Sequence, residues 1–542
     1  MLDALVSGRM QMWLDPEKIT DMVTVTAITT YPAMRVVSIL LVGGHGIRSW
    51  QKELVRVLSE FGQANGCIAL ETAVRPGLAG AVFRERHAVL KGWDKLFSVI
   101  RWPIKHGDLS QPYLKPKEPD LTAPPPANPP IDAPANAALA ASVSELSRCG
   151  RDDLAVRLAA IIADENDGSA DAHSLLANCL DRLGQWPQAL LQWQRAAQLA
   201  PKSPVARFNL AIALMRLGDY GSGLPLYEAR IDKPDWTGFS ALPSRTAARR
   251  RLLKPGEPMA GRTILVLAEQ GLGDCILFTR YVPLLAQGGA RVILACSPPL
   301  RPVFAHIPGI TELLSPPPAE PDAKLNLSAL SYDAWVPLMS LPLHVGGAPP
   351  IVPQASYLRA DELRCSYWRD RYTEAGGAEA IKIGLVYQAN PAGRAAVEKS
   401  LRADDLAPLV ALPGFDWIVL QQGEVAAELT KRYPAVIDPD LSRADLDDFA
   451  AAVAATDLLV SVDTMAAHLA GAIGHPAFVA IPFNPHWYWG IGSDTTPWYP
   501  TLSLFRQEAP HGWASTIRRM AEALRARFHP PNAVANDSPR HV

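Results

Sequence analysis

Three things are scarce in this chain of 542 residues, and each scarcity excludes a class of protein. The six cysteines are scattered and never form a Cys-x-x-Cys pair, which argues against a zinc site or a disulfide framework and favours a reducing compartment. The net charge of −2 gives no electrostatic case for a nucleic-acid partner. The longest apolar run, residues 36–42, is too short to span a membrane. We therefore expect a cytoplasmic protein with no integral membrane segment, and peripheral association with the inner membrane stays open.

The length itself exceeds what one hydrophobic core supports, so about two to four domains are expected. Residues 1–106 predict a small α+β domain, with strands near 23–29 and 35–42 and helical spacing over 49–64. The order of strand, glycine-rich turn, helix and strand resembles the acyl-CoA loop of GNAT-type acetyltransferases. Through the run of Tyr31, Pro32, Arg35, Gly43 and Gly44, it is also similar to the GNAT-like small proteins encoded in phage tail-region gene sets. A glycine-rich turn is more often only a turn, so an acetyltransferase is the least favoured function.

Two segments are expected to have no core of their own. Nine prolines fall between Pro112 and Pro134, within a linker predicted at 107–136. Such a composition favours an extended, semi-rigid spacer, and a ligand for a proline-recognition domain is the alternative. Residues 529–542 are predicted to be a disordered tail.

An internal repeat occupies residues 137–235. Gly150, Gly184 and Gly218 recur at intervals of 34 residues, and the copy at 170–203 resembles the tetratricopeptide (TPR) consensus. In such arrays small residues let the two helices of a unit approach, and large residues fill the groove of the next unit. The repeat is equally compatible with a concave surface for a protein partner and with a short helical brace.

Two α/β segments follow, at 259–375 and 376–528. In the first, an apolar strand at 263–268 leads through a glycine-rich turn into a helix predicted at 275–285. In the second, strands predicted at 381–387 and 417–421 begin the same alternation. Alternating strands and helices predict parallel sheets whose ligands bind at the carboxyl ends of the strands.

The stretch 458–476 predicts a strand at 458–462, a tight turn and a helix at 465–473. Asp463 and Thr464 follow the apolar strand, and both residue types cap helices well. A helix N-terminus presents free N–H groups and a positive dipole end, which suits a phosphate. His468 would lie one turn into this helix, on roughly the face of Thr464. The alternative is an ordinary capped helix with a packed histidine.

Acidic residues near helix starts have two interpretations. Asp274 stands at the beginning of the first predicted helix, where an aspartate is usually a cap but where a general base would also be well placed. Two Asp-x-Asp triplets, at 438–440 and 445–447, crowd the start of another predicted helix. We interpret them as turn and cap residues rather than as a metal site.

Four of these motifs together resemble a known family. They are EQGLGDCILFTRY (269–281), GLVYQANPAG (384–393), SVDTMAAHLAGAIGHP (461–476) and PWYPTLSLFRQ (497–507). They are similar to bacterial TPR-linked glycosyltransferases related to the ADP-heptose–lipopolysaccharide heptosyltransferases, glycosyltransferase family 9. The resemblance implies a GT-B fold, in which two Rossmann-like halves face one cleft. A TPR array joined to such a module is also similar to the O-GlcNAc transferases.

The resemblance also implies an activity and a set of site residues. It implies inverting, metal-independent transfer of a hexosyl, heptosyl or N-acetylglucosaminyl group from a nucleotide-diphosphate sugar to a protein or surface-glycan acceptor, without a cofactor. Asp274 would deprotonate the acceptor hydroxyl, and Lys399 would neutralise the leaving diphosphate. The implied donor-binding positions are Gly271, Gly273, Asn390, Lys399, Asp463, Thr464 and His468.

Six positions depart from the residue types that this family usually has. They are Tyr387, Ala389, Gly393, Met465, Tyr488 and Ser493. Three of them replace a histidine or an arginine, which leaves fewer groups to stabilise the departing charge. A second hypothesis therefore stays open, a non-catalytic TPR scaffold with a degenerate transferase domain.

Overall fold

Two units, residues 1–129 and 130–542, make up the computed structural model. The structure describes the strands of the first unit (10–14, 22–31, 34–44, 69–74, 88–90 and 98–103) and, in the second, residues 133–236, 245–317, 325, 327, 330–346, 356–391, 396–510 and 512–528. The predicted helix at 49–64, the predicted tail and most of the predicted linker lie outside the described residues. The last four residues of that linker, 133–136, instead begin a helix.

The described strands of the first unit form one mixed sheet. They are β1 (Met10–Leu14), β2 (Met22–Tyr31), β3 (Met34–Gly44), β4 (Ala69–Val74), β5 (Ala88–Leu90) and β6 (Ser98–Pro103). Their order is β1-β2-β3-β4-β6-β5, and β3 pairs with β4 in parallel while the other neighbours are antiparallel. The likeness of this unit to acetyltransferases stays a prediction.

The second unit begins with three helix pairs. They are α1 (Ala133–Arg148) with α2 (Asp152–Glu165), α3 (Ala170–Arg182) with α4 (Trp186–Leu199), and α5 (Pro204–Arg216) with α6 (Tyr220–Tyr227). Each turn within a pair contains one of the repeating glycines, Gly150, Gly184 and Gly218, at φ angles of 72°, 70° and 90°. Glycine adopts this left-handed conformation without steric cost, which explains the 34-residue spacing seen in the sequence. The predicted TPR array is confirmed.

A short helix, α7 (Arg245–Arg251), and then a four-stranded parallel sheet follow the repeats. Its strands are β7 (Thr263–Leu267), β8 (Arg291–Ala295), β9 (Ile310–Leu314) and β10 (Ala334–Pro337), in the order β10-β7-β8-β9. The helix predicted at 275–285 is two helices, α8 (Leu272–Thr279) and α9 (Val282–Gln287). Pro283 explains the break, because it has no N–H group to donate to the carbonyl of Thr279.

A five-stranded parallel sheet forms the second half. Its strands are β11 (Ile381–Val386), β12 (Phe415–Val419), β13 (Leu458–Val462), β14 (Ala477–Ile481) and β15 (Leu502–Arg506), in the order β12-β11-β13-β14-β15. β13 has the predicted bounds, whereas β12 begins two residues before the strand suggested by its apolar run. The predicted parallel α/β architecture is confirmed.

Short and long helices cover both sheets and connect their strands. After α9 come α10 (Arg301–Phe304), α11 (Leu341–His344), α12 (Glu362–Ala375), α13 (Ala396–Lys399), α14 (Ala407–Val410), α15 (Glu424–Arg432), α16 (Leu446–Ala454), α17 (Met465–Ile473) and α18 (Trp513–Phe528). α17 begins and ends where the sequence predicts, and its C-cap Gly474 has a φ of 76°. None of the described helices is both long enough and apolar enough to cross a membrane.

Each sheet has a point where the strand order reverses, between β7 and β10 in the first and between β11 and β13 in the second. Ligands of open parallel sheets bind beside such points, at the carboxyl ends of the strands. In the first sheet this place is filled by the protein itself. The guanidinium of Arg230, just after the repeats, donates to Glu269 at 2.6 and 3.2 Å and to the hydroxyl of Ser340 at 2.7 Å.

Aromatic side chains join the end of the repeat array to both halves. Trp487, in a short 3₁₀ helix (Trp487–Trp489), packs against Tyr220 and Tyr227 of α6 with ring centroids 6.1 and 6.0 Å apart. It also contacts Phe278 of α8 at 6.0 Å. Aromatic contacts of this kind bury large apolar areas. The repeats are therefore continuous with the hydrophobic core of the α/β domain.

Candidate functional site

A cleft of 1350 Å³ lies at the carboxyl ends of strands from both sheets. One wall is the loop after β7 and the first turn of α8, with Pro298 and Pro302 beside it. The opposite wall is formed by residues 386 and 388–390 at the end of β11 and by residues 463–466 and 468 after β13. The cleft therefore includes the reversal point of the second sheet, which is where a ligand of such a sheet is expected.

Asp274 lines this cleft from the first turn of α8. Its Oδ2 accepts a hydrogen bond from the N–H of Gly271 at 3.1 Å, while its buried Oδ1 has no partner. Burial raises the pKa of Asp274 to about 6, helped by the carboxylates of Asp463 and Glu269, although the Gly271 N–H and Lys399 act in the opposite direction. The residue thus caps its helix with one oxygen, while the other is buried without a hydrogen-bond partner.

Lys399 and Asp463 form an ion pair across the reversal point. Lys399 Nζ lies 2.7 Å from Asp463 Oδ2, and the indole N–H of Trp489 donates to Asp463 Oδ1 at 2.8 Å. Burial would raise the pKa of Asp463, but Lys399 and the hydrogen bond from Trp489 hold it below its usual value. Asp463 is therefore a buried carboxylate that fixes Lys399, whose ammonium group has further donors to offer to the cleft.

Thr464 is the N-cap residue of α17, but its side chain makes no capping hydrogen bond. Its Oγ1 lies 3.3 Å from Oγ of Ser461 instead. The first turn of α17 lines the cleft, including Met465 and Ala466. Because no side chain closes this helix end, its positive dipole end faces the cleft.

His468 also lines the cleft, yet it is almost wholly enclosed by protein. Its Nδ1 lies 3.0 Å from the hydroxyl of Tyr499, its ring stacks on Trp489 at 5.0 Å, and its buried Nε2 has no partner. Burial lowers the pKa of His468 to about 4, so the imidazole is neutral near pH 7. A neutral ring with one unpaired nitrogen suits a hydrogen bond to a ligand rather than charge neutralisation.

The remaining predicted positions have different surroundings. Gly273 faces the ring of His468, and a Cβ atom there would lie 2.6 Å from His468 Cδ2. The absence of a side chain thus lets α8 approach α17, and the space is filled by imidazole. Gly271 and Asn390 line the cleft and are exposed. The structure brings every predicted site residue to the two facing walls of one cleft.

The family departures are distributed unevenly around the site. Met465 and Tyr488 line the cleft. Tyr387 points away, and its hydroxyl donates to the carbonyl of Val425 at 2.8 Å. Ser493 is exposed, with its Oγ 3.0 Å from Oγ1 of Thr495. Gly393 lies outside the described residues.

Sequence reasoning missed the aromatic residues that hold the site together. Trp489 contacts both Asp463 and His468, and Tyr499 contacts His468. Gln421 is a further case, because its Oε1 accepts from the backbone N–H groups of Tyr387 and Gln388 and so shapes the loop after β11. The many Trp and Tyr residues after β14 could have indicated that this segment packs against the site. The local sequence does not indicate which carboxylate or imidazole each aromatic ring contacts.

The two Asp-x-Asp triplets serve as turn and cap residues. Asp438 accepts from the N–H of Asp440, which has a φ of 56° in this turn. Asp445 is the N-cap of α16 and accepts from the N–H of Asp448 at 2.7 Å. Within the described ranges, no three His, Cys, Asp or Glu side chains are grouped so that they would hold a metal ion.

Comparisons with known proteins match different parts of the chain. The tetratricopeptide repeat family model matches residues 170–203. The chain is similar to "Protein FlbA" of Caulobacter vibrioides, with 25% identity over 370 residues, which is 63% of this chain and 59% of that protein. The chain thus aligns with less than two thirds of the length of this relative.

Solved structures similar to the chain include two transferases. A glycosyl transferase of family 9 from Veillonella parvula has a TM-score of 0.35 and 14% identity, covering 47% of this chain and 88% of that one. The E. coli ADP-heptose lps heptosyltransferase II has a TM-score of 0.34 and 17% identity, covering 49% of this chain and 98% of that one. A third similar structure, the Yersinia enterocolitica type III secretion translocator chaperone SycD, has a TM-score of 0.18 and 20% identity, covering 22% of this chain and 90% of that one.

Proposed function

We propose that the protein transfers a sugar from a nucleotide-diphosphate donor to an acceptor hydroxyl in this cleft. The observation that carries the proposal is the pairing of two opposed groups across it. One wall carries Asp274, with an unpaired oxygen and a pKa raised to about 6. The other carries Lys399 beside the uncapped end of α17. A base facing an anion-binding site is what glycosyl transfer from a diphosphate requires.

The proposed step is a single displacement with inversion at the anomeric carbon. The acceptor oxygen forms a bond to that carbon while the bond to the diphosphate oxygen breaks and its electron pair leaves with the nucleoside diphosphate. The acceptor proton passes to Asp274, which is mostly ionised at pH 7 because its pKa is about 6. Lys399 and the dipole of α17 stabilise the departing charge, so this proposal needs no metal ion or cofactor.

His468 and Asn390 are proposed to orient the donor. The unpaired Nε2 of His468 offers one hydrogen bond from a neutral ring. Asn390 follows β11 at the cleft edge, where its amide is exposed. The acceptor class that we propose is a protein or surface glycan, and the TPR array beside the cleft is the proposed protein-binding surface.

The charge of the cleft favours a second candidate, a scaffold that binds no donor. Among the described residues that line it, three carboxylates (Asp274, Asp445 and Asp463) face one lysine. A diphosphate entering such a cleft is repelled by the excess of acidic groups. A degenerate transferase domain that only supports the TPR array would have no need of a nucleotide-sugar site.

Thermal unfolding of the full chain with UDP-, GDP- and ADP-linked sugars separates the two candidates. A ligand at 100 times its dissociation constant stabilises the native state by about 2.7 kcal/mol. We expect one sugar nucleotide to raise the melting temperature and His468→Ala to weaken its binding. If no member of the panel changes the melting temperature of a folded sample, the transferase proposal is wrong and the scaffold is favoured.

A further inference from the structure

The loop that carries Asp274 contains a residue in an unfavourable backbone conformation. Gln270 has a φ of 65°, and Asp440 is the only other described non-glycine residue with a positive φ. The turn at Asp440 is closed by the Asp438 carboxylate, which accepts from the N–H of Asp440. A left-handed residue with a long side chain persists only where its surroundings hold it there.

What holds Gln270 is a residue of the TPR array. The side-chain amide of Gln270 donates to the hydroxyl of Tyr227 at 2.7 Å. Tyr227 is the last residue of α6 and is fully buried, with its hydroxyl also directed at the sulfur of Met339 at 3.6 Å. Burial raises the pKa of Tyr227, so its hydroxyl keeps the proton that it donates towards Met339 while its oxygen accepts from Gln270.

The residue before Gln270 is held from the same side. Glu269 receives two hydrogen bonds from the guanidinium of Arg230 and one from the indole of Trp236 at 2.8 Å. Arg230 in turn lies over the ring of Tyr227, with 4.5 Å from its Cζ to the ring centroid. Residues that follow the repeats thus immobilise the start of the loop.

The other end of the same loop is the Asp274 carboxylate. The N–H of Gly271, next to Gln270, donates to Asp274 Oδ2 at 3.1 Å. The direction of that N–H group depends on the torsion angles of Gln270. A chain of contacts therefore runs from Tyr227 through Gln270 and Gly271 to Asp274, with no gap larger than a hydrogen bond.

We propose that Tyr227, at the end of the TPR array, is a positioning residue that holds Gln270 in its left-handed conformation and thereby orients the Asp274 carboxylate. The catalytic consequence rests on the proposed transferase function, whereas the structural consequence does not. The repeat array would then be part of the active-site framework, in addition to any partner that it binds.

Hydrogen exchange of the full chain without ligand tests the structural part. In Tyr227→Phe we expect amides of residues 270–275 to exchange at least fivefold faster, while those of 465–473 are unchanged. The matched control is Tyr372→Phe, which removes another buried tyrosine hydroxyl, hydrogen-bonded to the carbonyl of Ala452 at 3.0 Å. This control should leave the exchange rates of the amides of residues 270–275 unchanged. Equal exchange in wild type and Tyr227→Phe overturns the proposal.

A double-mutant cycle tests whether the hydrogen bond is the cause. Gln270→Ala removes the bond from its other end, so the double variant with Tyr227→Phe should exchange no faster than the more affected single variant. If the two effects instead multiply, the residues act independently and the proposal is wrong.

Turnover tests the catalytic part, with the UDP-, GDP- or ADP-linked sugar that wild type consumes. Tyr227→Phe should lower kcat about tenfold with an unchanged KM for that sugar. The acid limb of the profile of kcat against pH should move to higher pH in this variant. The reason is that the hydrogen bond from Gly271 lowers the pKa of Asp274, so its loss raises that pKa. Unchanged kcat and pH profile contradict the positioning role. If wild type consumes no sugar nucleotide, the proposed function fails and the exchange result still decides the positioning proposal.

Discussion

The two parallel sheets present the same kind of site, and the chain treats them differently. At the reversal point of the first sheet, Glu269 and Ser340 follow β7 and β10 and both bind Arg230. At the reversal point of the second sheet, Asp463 follows β13 and binds Lys399, but the space in front of them is the open cleft. The topology offers a binding place twice, and side chains from outside the sheet decide which one stays available.

The difference shows that polar groups at strand ends are not sufficient evidence of a ligand site. Arg230 is buried, and it donates one hydrogen bond to each carboxylate oxygen of Glu269. Both oxygens at the first reversal point are therefore paired. Around the second, His468 Nε2 and Asp274 Oδ1 are buried without partners. Unsatisfied buried polar atoms cost free energy unless a ligand uses them. They therefore distinguish the candidate site from the structural one.

The largest expected effect is the loss of turnover in Asp274→Asn. The amide cannot take the acceptor proton, and general-base catalysis typically contributes about 10²- to 10⁴-fold. We expect a rate loss of that size with donor affinity retained, measured by nucleoside diphosphate release and by calorimetry. The matched control is Asp445→Asn, which also lines the cleft but caps α16. Equal turnover in wild type and Asp274→Asn would remove Asp274 from the role of base.

The second effect concerns the closed reversal point. Arg230→Leu leaves Glu269 as a buried carboxylate without its cation, which typically costs about 3–5 kcal/mol of stability. Denaturant unfolding measures this loss, and adding Glu269→Gln to the same chain should recover part of it. The control is Arg432→Ala, whose partner Asp404 is 71% exposed; exposed pairs contribute about 0–1 kcal/mol. Similar losses in both variants would contradict the structural role of the Arg230 network.

A third prediction concerns the open reversal point. Lys399→Met removes the cation that we propose to face the departing diphosphate, and it leaves Asp463 with the Trp489 hydrogen bond but without its ion pair. We expect the dissociation constant for a nucleoside diphosphate, measured by calorimetry, to increase at least tenfold. Lys382→Met is the control, because Lys382 forms a comparable 2.6 Å pair with Asp416 outside the cleft. An unchanged dissociation constant in Lys399→Met would exclude a role in donor binding.

The smallest effect is a dependence of stability on pH. Burial lowers the pKa values of His468 and His475 to about 4 and that of His486 to about 3, and all three lie in the second half. Histidine in the unfolded state binds a proton near pH 6.5, so between about pH 6.5 and 4 the unfolded state binds more protons than the native state. The stability of the native state therefore decreases as the pH is lowered. We expect a melting temperature that decreases from pH 7 to 5.

A variant outside the cleft isolates this contribution. His475→Gln keeps a polar side chain near Thr456, whose Oγ1 lies 3.1 Å from His475 Nε2. It should reduce the loss of stability between pH 7 and 5 by about 2 kcal/mol, because one histidine with a pKa lowered from about 6.5 to about 4 no longer titrates. A pH profile identical to that of wild type would show that His475 is not a source of acid sensitivity.

Much of the second half was predictable because its signals are local. The apolar run, the capping residue types and Gly474 define β13 and α17 within a span of 17 residues, and the structure has the same bounds. β12 was displaced by two residues because buried apolar residues continue beyond its end to Leu420. The break after α8 was missed because Pro283 was counted within the helix.

The candidate site was predictable as a set of residues and not as an arrangement. Lys399 and Asp463 were both expected on the donor side, but no local pattern indicates that they bind each other across 64 positions of sequence. Gly273 was expected as a donor-binding position; it lines the cleft, and its missing side chain also leaves room for the ring of His468. Tyr227 carries no sign of its contact with Gln270, because that contact joins two different modules.

The sequence by itself determined the repeat period, the strands and helices around the cleft, and the residue types at their ends. Glycine conformation, apolar periodicity and capping act over a few residues, so they can be read from the chain alone. Only the tertiary structure decided that Arg230 closes one reversal point, that the other stays open, and that Asp274 keeps a free oxygen. Burial and pairing depend on residues far apart in the chain, and these set the pKa values and the unsatisfied atoms from which a function is inferred.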